Sequence, residues 1–333
     1  IMDDIVDLEL EKVNKIIEKI ESDPETEEVK RVELNLWKKI KTKAIQGRRT
    51  GVGITAEGDM LAALNYKYGT PEATDFSTDI HKKFIKNIGP LVIALAAYRS
   101  SVDMARDRGA FPIYDSIREE KNPMINRIKD ADPALYDDMV KYGRRNIALL
   151  TIAPTGTTSL MTQTSSGIEP VFMVSYKRRR KVNPNDAQAR VDFVDEVGDS
   201  WEEYNVFHHK FNTWLEVNGF DVNEVATMTN DELNAIIAKS PYHGATANDV
   251  DWVEKVNLQG SVQKWIDHSI SVTVNVPEEC PEEMVSKIYL RGWESGCKGI
   301  TVYRDGSRSG VLISNEEKKG EEDEIINKFL ETT

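Results

Sequence analysis

The sequence has 333 residues, 40% apolar and 30% charged, with 43 basic against 56 acidic side chains and a net charge of −13. That length supports a sizeable core, and the composition excludes a disordered chain, a collagen-like repeat and a disulfide scaffold. No apolar run reaches the roughly 20 residues that span a bilayer, the start Ile1-Met2-Asp3-Asp4 lacks a secretory pattern, and the acidic total disfavours non-specific nucleic-acid binding.

Val6, Leu10, Val13, Ile17 and Ile20 recur at helical spacing, and the pattern begins almost at Ile1, which points to sequence missing in front of it. Ser22 and Asp23 restart the chain, with Pro24 placed for a first helical turn. The next helix carries Val29, Val32, Leu36 and Ile40 on one face and stops at Gly47, so residues 1–47 read as an antiparallel helical pair. Arg48 to Tyr68 holds Gly51, Gly53 and Gly58 without the third glycine of a dinucleotide fingerprint. Pro71 to Gly109 reads as mostly helical with a break at Gly89-Pro90, and a further helix covers Pro133 to Tyr142.

Ile147 to Ala153 is a short, nearly continuous apolar run, as in a strand buried on both faces. It leads into Pro154, Thr155, Gly156, Thr157, Thr158 and Ser159, and then into a helical start. Val171 to Lys181 is strand-like and ends in the basic run 177–181. Residues 183–250 read as a helical insertion, with Trp201, Tyr204, His208, Phe211 and Leu215 at helical spacing and a capping box at Thr229 and Glu232. Ser269 to Val276 alternates as a strand, Pro281 to Ser295 is a helix, and Gly299 to Arg304 is strand-like. Residues 314–333 form an acidic linker, with a short amphipathic helix on Ile325, Ile326, Phe329 and Leu330. Strands alternating with helices indicate an α/β fold with parallel strands.

The loop 154–159 carries the most chemistry. A helix that starts just after a buried strand presents unpaired N–H groups, Gly156 lets a ligand approach, and Thr155, Thr157, Thr158 and Ser159 add hydroxyls. Such a loop suits a phosphate, although serine and threonine also serve as ordinary N-caps. The basic run 177–181 reads as a solvated edge that discourages strand pairing. The five histidines form no ligand motif, so no metal site is expected. Cys280 and Cys297, separated by 16 residues, read as small buried hydrophobes and fit a reducing cytoplasm.

Four ordered blocks then resemble the large catalytic chain of ribonucleotide reductases. They are RRTGVGITAEGDML at 48–61, Arg145 to Pro170 with its PTGTTS and SSGIEP segments, KWIDHSISVTVNVP at 264–277, and GCKGITVYRDGSRSGVL at 296–312. The wording GITVYRDGSR is similar to the adenosylcobalamin-dependent class II. In the iron-dependent class two adjacent tyrosines near this block relay a radical, and here Val302-Tyr303 stands in their place.

The resemblance implies an α/β barrel of ten strands, of which residues 48–313 would be the second half with flanking helices. It implies reduction of a ribonucleoside di- or triphosphate by thiyl-radical chemistry, with adenosylcobalamin as cofactor and a thioredoxin-type reductant as partner. The loop Pro154 to Thr158 matches the segment that holds the substrate's phosphates. The family's radical cysteine, in an Asn-x-Cys-x-Glu finger loop, and its redox cysteines have no counterpart here, so no catalytic residue is assigned. The expectation is a cytoplasmic C-terminal part that works with a missing N-terminal half. The alternative is a non-catalytic remnant or assembly module that keeps the half-barrel fold.

Overall fold

The computed structural model describes residues 1–83, 93–182, 190–194 and 198–307. The expected break at Gly89-Pro90 and the acidic segment 314–333 lie outside the described residues. In chain order the helices before the first strand are α1 (Met2–Ser22), α2 (Glu27–Gly47), α3 (Glu57–Ala63), α4 (Pro71–Lys83), α5 (Ile93–Arg108), α6 (Ser116–Glu119), α7 (Pro123–Ala131), α8 (Pro133–Tyr142) and α9 (Gly156–Thr162). Strands β1 (Ser175–Lys181), β2 (Phe193–Val194) and β3 (Ser200–Phe207) follow, then α10 (His209–Val217), α11 (Val222–Ala226) and α12 (Asn230–Ile237). The chain continues through α13 (Trp252–Gln263), β4 (Thr273–Val276), α14 (Glu282–Glu294) and β5 (Thr301–Arg304). The chain divides into two compact units, one built from Ile1–Phe172 and Gly244–Arg304 and the other centred on Met173–His243.

In the first unit α1 buries Val6, Val13 and Ile20, as their spacing requires, together with Asp3 in its first turn. The Asp3 carboxylate accepts from Arg48 Nε at 2.7 Å, Arg145 Nε at 3.1 Å and Asn146 Nδ2 at 3.1 Å. These charged hydrogen bonds outweigh the burial that would raise its pKa and hold the group below the usual carboxylate range. Pro24 is not in a first helical turn: α2 starts at Glu27 behind Thr26. Its apolar face is also turned differently from expectation. Val29, Val32 and Leu36 are exposed, while Leu34, Trp37, Lys41 and Ala44 are half-buried.

Parallel backbone hydrogen bonds then tie distant segments side by side. Thr50 N donates to Ala148 O at 3.2 Å and Val52 N to Leu149 O at 2.6 Å. His268 N donates to Leu150 O and Ser271 N to Ile152 O, both at 3.0 Å. β4 pairs with β5 in parallel, Thr273 opposite Thr301. The apolar run 147–153 is therefore less regular than a continuous strand, touching its neighbours through single bridges at Leu150 and Ile152. Its burial is as expected, with Leu149, Leu150 and Ile152 all in the core. Leu61, Ile125, Ile128, Leu135, Leu258, Val262 and Val272 pack against them. Each such side chain contributes about 1.5–3 kcal/mol on leaving water. The architecture is mixed α/β with helices against parallel segments, and among the described residues the segments do not close into a barrel.

The second unit holds a three-stranded antiparallel sheet in the order β1-β3-β2. Here Trp201 and Tyr204 stand in β3 and not on a helix; helical structure begins only at His209. Cross-strand ion pairs favour the strand: Arg179 meets Glu203 and Arg180 meets Glu202, each at 2.7 Å. β1 is an edge strand, as the basic run suggested. Thr229 and Glu232 form the expected capping box, and Phe211, Leu215, Val225 and Leu233 fill the core beside them.

Candidate functional site

Parallel segments expose useful backbone at their C-terminal ends, and the loop 154–159 emerges there beside the chain that follows residue 52. The approach of the two segments leaves no room at Gly53, where a Cβ would stand 2.0 Å from Thr151 O. Glycine is thus required by contact with neighbouring backbone. α9 begins at Gly156, and Thr155 before it takes a left-handed φ of 52°.

The side chain of Thr155 does not cap α9. It turns inward, where its hydroxyl lies 2.9 Å from Thr55 Oγ1 and accepts from Gly167 N at 2.8 Å. Gly167 N also reaches Thr55 Oγ1 at 3.1 Å, so one amide and two hydroxyls make a three-way junction. Ser159 is buried, and its hydroxyl donates to Gly156 O at 2.9 Å and shares a 2.7 Å contact with Ser166 Oγ. Of the six expected site residues, Thr155 and Ser159 are therefore committed to the chain itself. Pro154, Gly156, Thr157 and Thr158 are exposed, and a Cβ on Gly156 would meet nothing within 4 Å. The first N–H groups of α9 lack intrahelical acceptors, as at any helix start, and the residues there, Gly156, Thr157 and Thr158, are exposed.

The supporting layer contains groups that spacing alone did not single out. Asp59 accepts from Ser165 N at 2.7 Å and its own N–H donates to Ser165 Oγ at 3.2 Å. Glu169 accepts from Thr273 N at 2.7 Å, and its other oxygen stands 2.9 Å from Nζ of fully buried Lys255. Ser165, Ser166 and Glu169 lay inside the SSGIEP block that carried the family resemblance, but Lys255, in a helix of mixed polar and apolar residues, gave no signal. Beneath them Tyr68 donates to Ile168 O at 2.7 Å, and burial, then Glu169 and Glu57, push its pKa well above the usual value.

Glu57 is buried at the start of α3, with Oε2 3.5 Å from His81 Nε2 on α4. Burial raises its pKa, and His81 and Ser77 oppose the rise. His81 Nδ1 lies 2.8 Å from Ser77 O, and a carbonyl can only accept, so Nδ1 carries a proton.

The two thiols do not meet. Cys280 follows the end of β4 and Cys297 precedes the start of β5, so the parallel register puts them beyond opposite ends of the paired strands, and both are free thiols. Burial raises both thiol pKa values, which disfavours thiolate. Asp3, Asp4 and Asp7 bring three carboxylates together, but Arg48, Arg108 and Arg145 already neutralise them. Among the described residues no helix is long and apolar enough to cross a membrane.

Comparison with known proteins converges on one family. Residues 22–303 match the family described as ribonucleotide reductase, barrel domain. A vitamin B12-dependent ribonucleoside-diphosphate reductase of Mycobacterium tuberculosis is 28% identical, over 80% of this chain and 33% of its own. One from Thermoplasma acidophilum is also 28% identical, over 84% of this chain and 31% of its own. The class Id ribonucleotide reductase alpha subunit of Actinobacillus ureae shares the fold with a TM-score of 0.50 at 17% identity, covering 84% of this chain and 44% of that one. The chain spans about a third of the length of these curated relatives.

Proposed function

Because the chain belongs to the ribonucleotide reductase barrel-domain family, we propose that its loop 154–159 holds the phosphates of a ribonucleoside diphosphate whose ribose is reduced in the whole protein. The observation that carries this reading is the uncapped start of α9. The Thr155 hydroxyl is held by Thr55 and Gly167, so the N–H groups and hydroxyls at Gly156, Thr157 and Thr158 are left for an anion. Diphosphate is preferred over triphosphate on the names of the two relatives above.

The parallel segments 50–52, 148–152, 268–276 and 301–304 would form one side of the family's ten-stranded barrel. Sequence outside the matched third of the relatives would supply the radical and redox cysteines, with a thioredoxin-type dithiol as reductant. Adenosylcobalamin, implied by the relatives' names, would generate the radical. The committed groups Thr55, Asp59, Thr155, Ser159, Glu169 and Lys255 leave a donor set that fits a phosphate and not a corrin. This chain's part is to bind and orient the substrate.

Calorimetric titration with a ribonucleoside diphosphate tests the reading. Gly156→Leu, which meets open space in the fold, should weaken binding tenfold or more. Arg179→Ala, on the edge strand, should leave binding unchanged. Equal losses in both variants would sink the proposal.

A further inference from the structure

The opposite ends of the same parallel segments gather positive charge around the turn that joins α13 to the segment 268–276. Three cations surround Trp265, Ile266, Asp267 and His268. Arg127 places its guanidinium carbon 5.3 Å from the centre of the Trp265 ring. Lys298 Nζ donates to Asp267 O at 2.6 Å and to Ile266 O at 3.4 Å. Arg49 Nη1 lies 3.4 Å from His268 Nδ1. His268 Nε2 stands 2.8 Å from Thr50 O, which can only accept, so Nε2 carries the proton and Nδ1 is the acceptor that faces Arg49.

The one acid in the turn is turned away. Asp267 accepts from Leu150 N at 2.7 Å, Leu149 N at 3.0 Å and Tyr98 O–H at 2.8 Å, which ties its carboxylate to the core. Arg49, Arg127 and Lys298 form no ion pair among the described residues, whereas Arg48, Arg99, Arg108, Arg144 and Arg145 all do. The cations also act on one another. Burial is the main cause that lowers the Lys298 pKa, Arg127 and Arg49 add to it, and Asp267 opposes it. In a chain of net charge −13, three neighbouring cations that no ion pair engages among the described residues, with the Asp267 carboxylate committed to the core, leave an electrostatic demand for a further anion.

We propose that Arg49, Arg127 and Lys298 form a second anion site, which takes a small phosphate-bearing anion at the N-terminal ends of the parallel segments. Two guanidinium forks and an ammonium match the oxygens of a phosphate, and the Trp265 face fixes the Arg127 plane. The site shares no residue with the loop 154–159 and stands independently of the function proposed for that loop.

Trp265 provides a local readout. The full chain labelled with 5-fluorotryptophan carries six such residues, and Trp265→Phe identifies the relevant fluorine resonance. Titration with inorganic phosphate, and separately with pyrophosphate, should move that resonance saturably. Lys298→Gln keeps a donor for the two carbonyls and removes the charge; Arg127→Gln and Arg49→Gln remove the other two. Each should weaken the response at least fivefold, and raised salt should weaken it further. Gly156→Leu should leave it unchanged. Tighter binding of pyrophosphate than phosphate would mark a polyphosphate ligand within the proposal. A resonance that does not respond, or that responds in all three variants as it does in the unsubstituted chain, would overturn it and leave the cations as carbonyl and ring partners only.

Discussion

Gly53 and Gly156 stand at the same end of neighbouring segments and answer opposite requirements. Gly53→Ala drives a methyl to 2.0 Å from Thr151 O, so backbone must move, and a loss of about 2–3 kcal/mol is expected in urea unfolding. Gly156→Ala meets nothing within 4 Å and should change stability by less than about 0.5 kcal/mol. Sequence pattern could mark both as glycines near a turn but could not rank them, because the obstruction comes from a residue about a hundred positions away. Asp3 makes the same point for charge. Nothing in the helix pattern of residues 1–22 sets it apart, yet it meets Arg48, Arg145, Arg108 and Asn146. Asp3→Ala leaves Arg145 without its carboxylate partner and buried Arg48 with Asp7 alone, and should cost about 3–5 kcal/mol, read from the unfolding midpoint.

Elements were legible where one helix or strand makes its own case. The heptad-like spacing of α1, the apolar burial of 148–152 and the capping box of α12 are local signals, and each is realised. The face of α2 and the strand β3 were not legible. In α2 both faces carry apolar residues, and contact with α1 selects Leu34 and Trp37 over Val32 and Leu36. In β3 aromatic residues fit either periodicity, and the pairing with β1 decides. The pairing of α3 with α4 yields a prediction about acidity. Burial raises the Glu57 pKa above its ordinary value of 4.5. Folding thus favours the protonated carboxyl: the contribution is complete below 4.5 and is lost as pH rises through the higher folded value. Stability should fall with rising pH by at most about 1.4 kcal/mol per unit from this group, and Glu57→Gln should remove that part of the slope. Unfolding in urea at several pH values between about 5 and 8 measures it. A slope identical in Glu57→Gln would refute the assignment.

At the scale of the molecule, the division into two units predicts separable unfolding. Phe211→Ala empties the core of the second unit and should cost about 3–5 kcal/mol there. Hydrogen exchange should then quicken across β3 and α10 while α13 and the segment 148–152 keep their protection. Composition and period could suggest an α/β fold, but the order of the parallel segments depends on pairings no local pattern encodes. The junction at Thr155 has a kinetic consequence. It joins Thr55 to Thr155 across 100 positions and to Gly167 across 112, while Leu150 reaches Asp267 across 117. Contacts of such long sequence separation make for slow folding, because closure entropy is lost before contact energy is gained. On a ribosome adding about 5–20 residues per second, Thr55 would wait on the order of 5–20 s for Thr155 to be made. Through that interval the nascent chain carries the edge at 50–52 with its amides unpaired, which makes co-translational chaperone contact a matter of timing as much as of sequence.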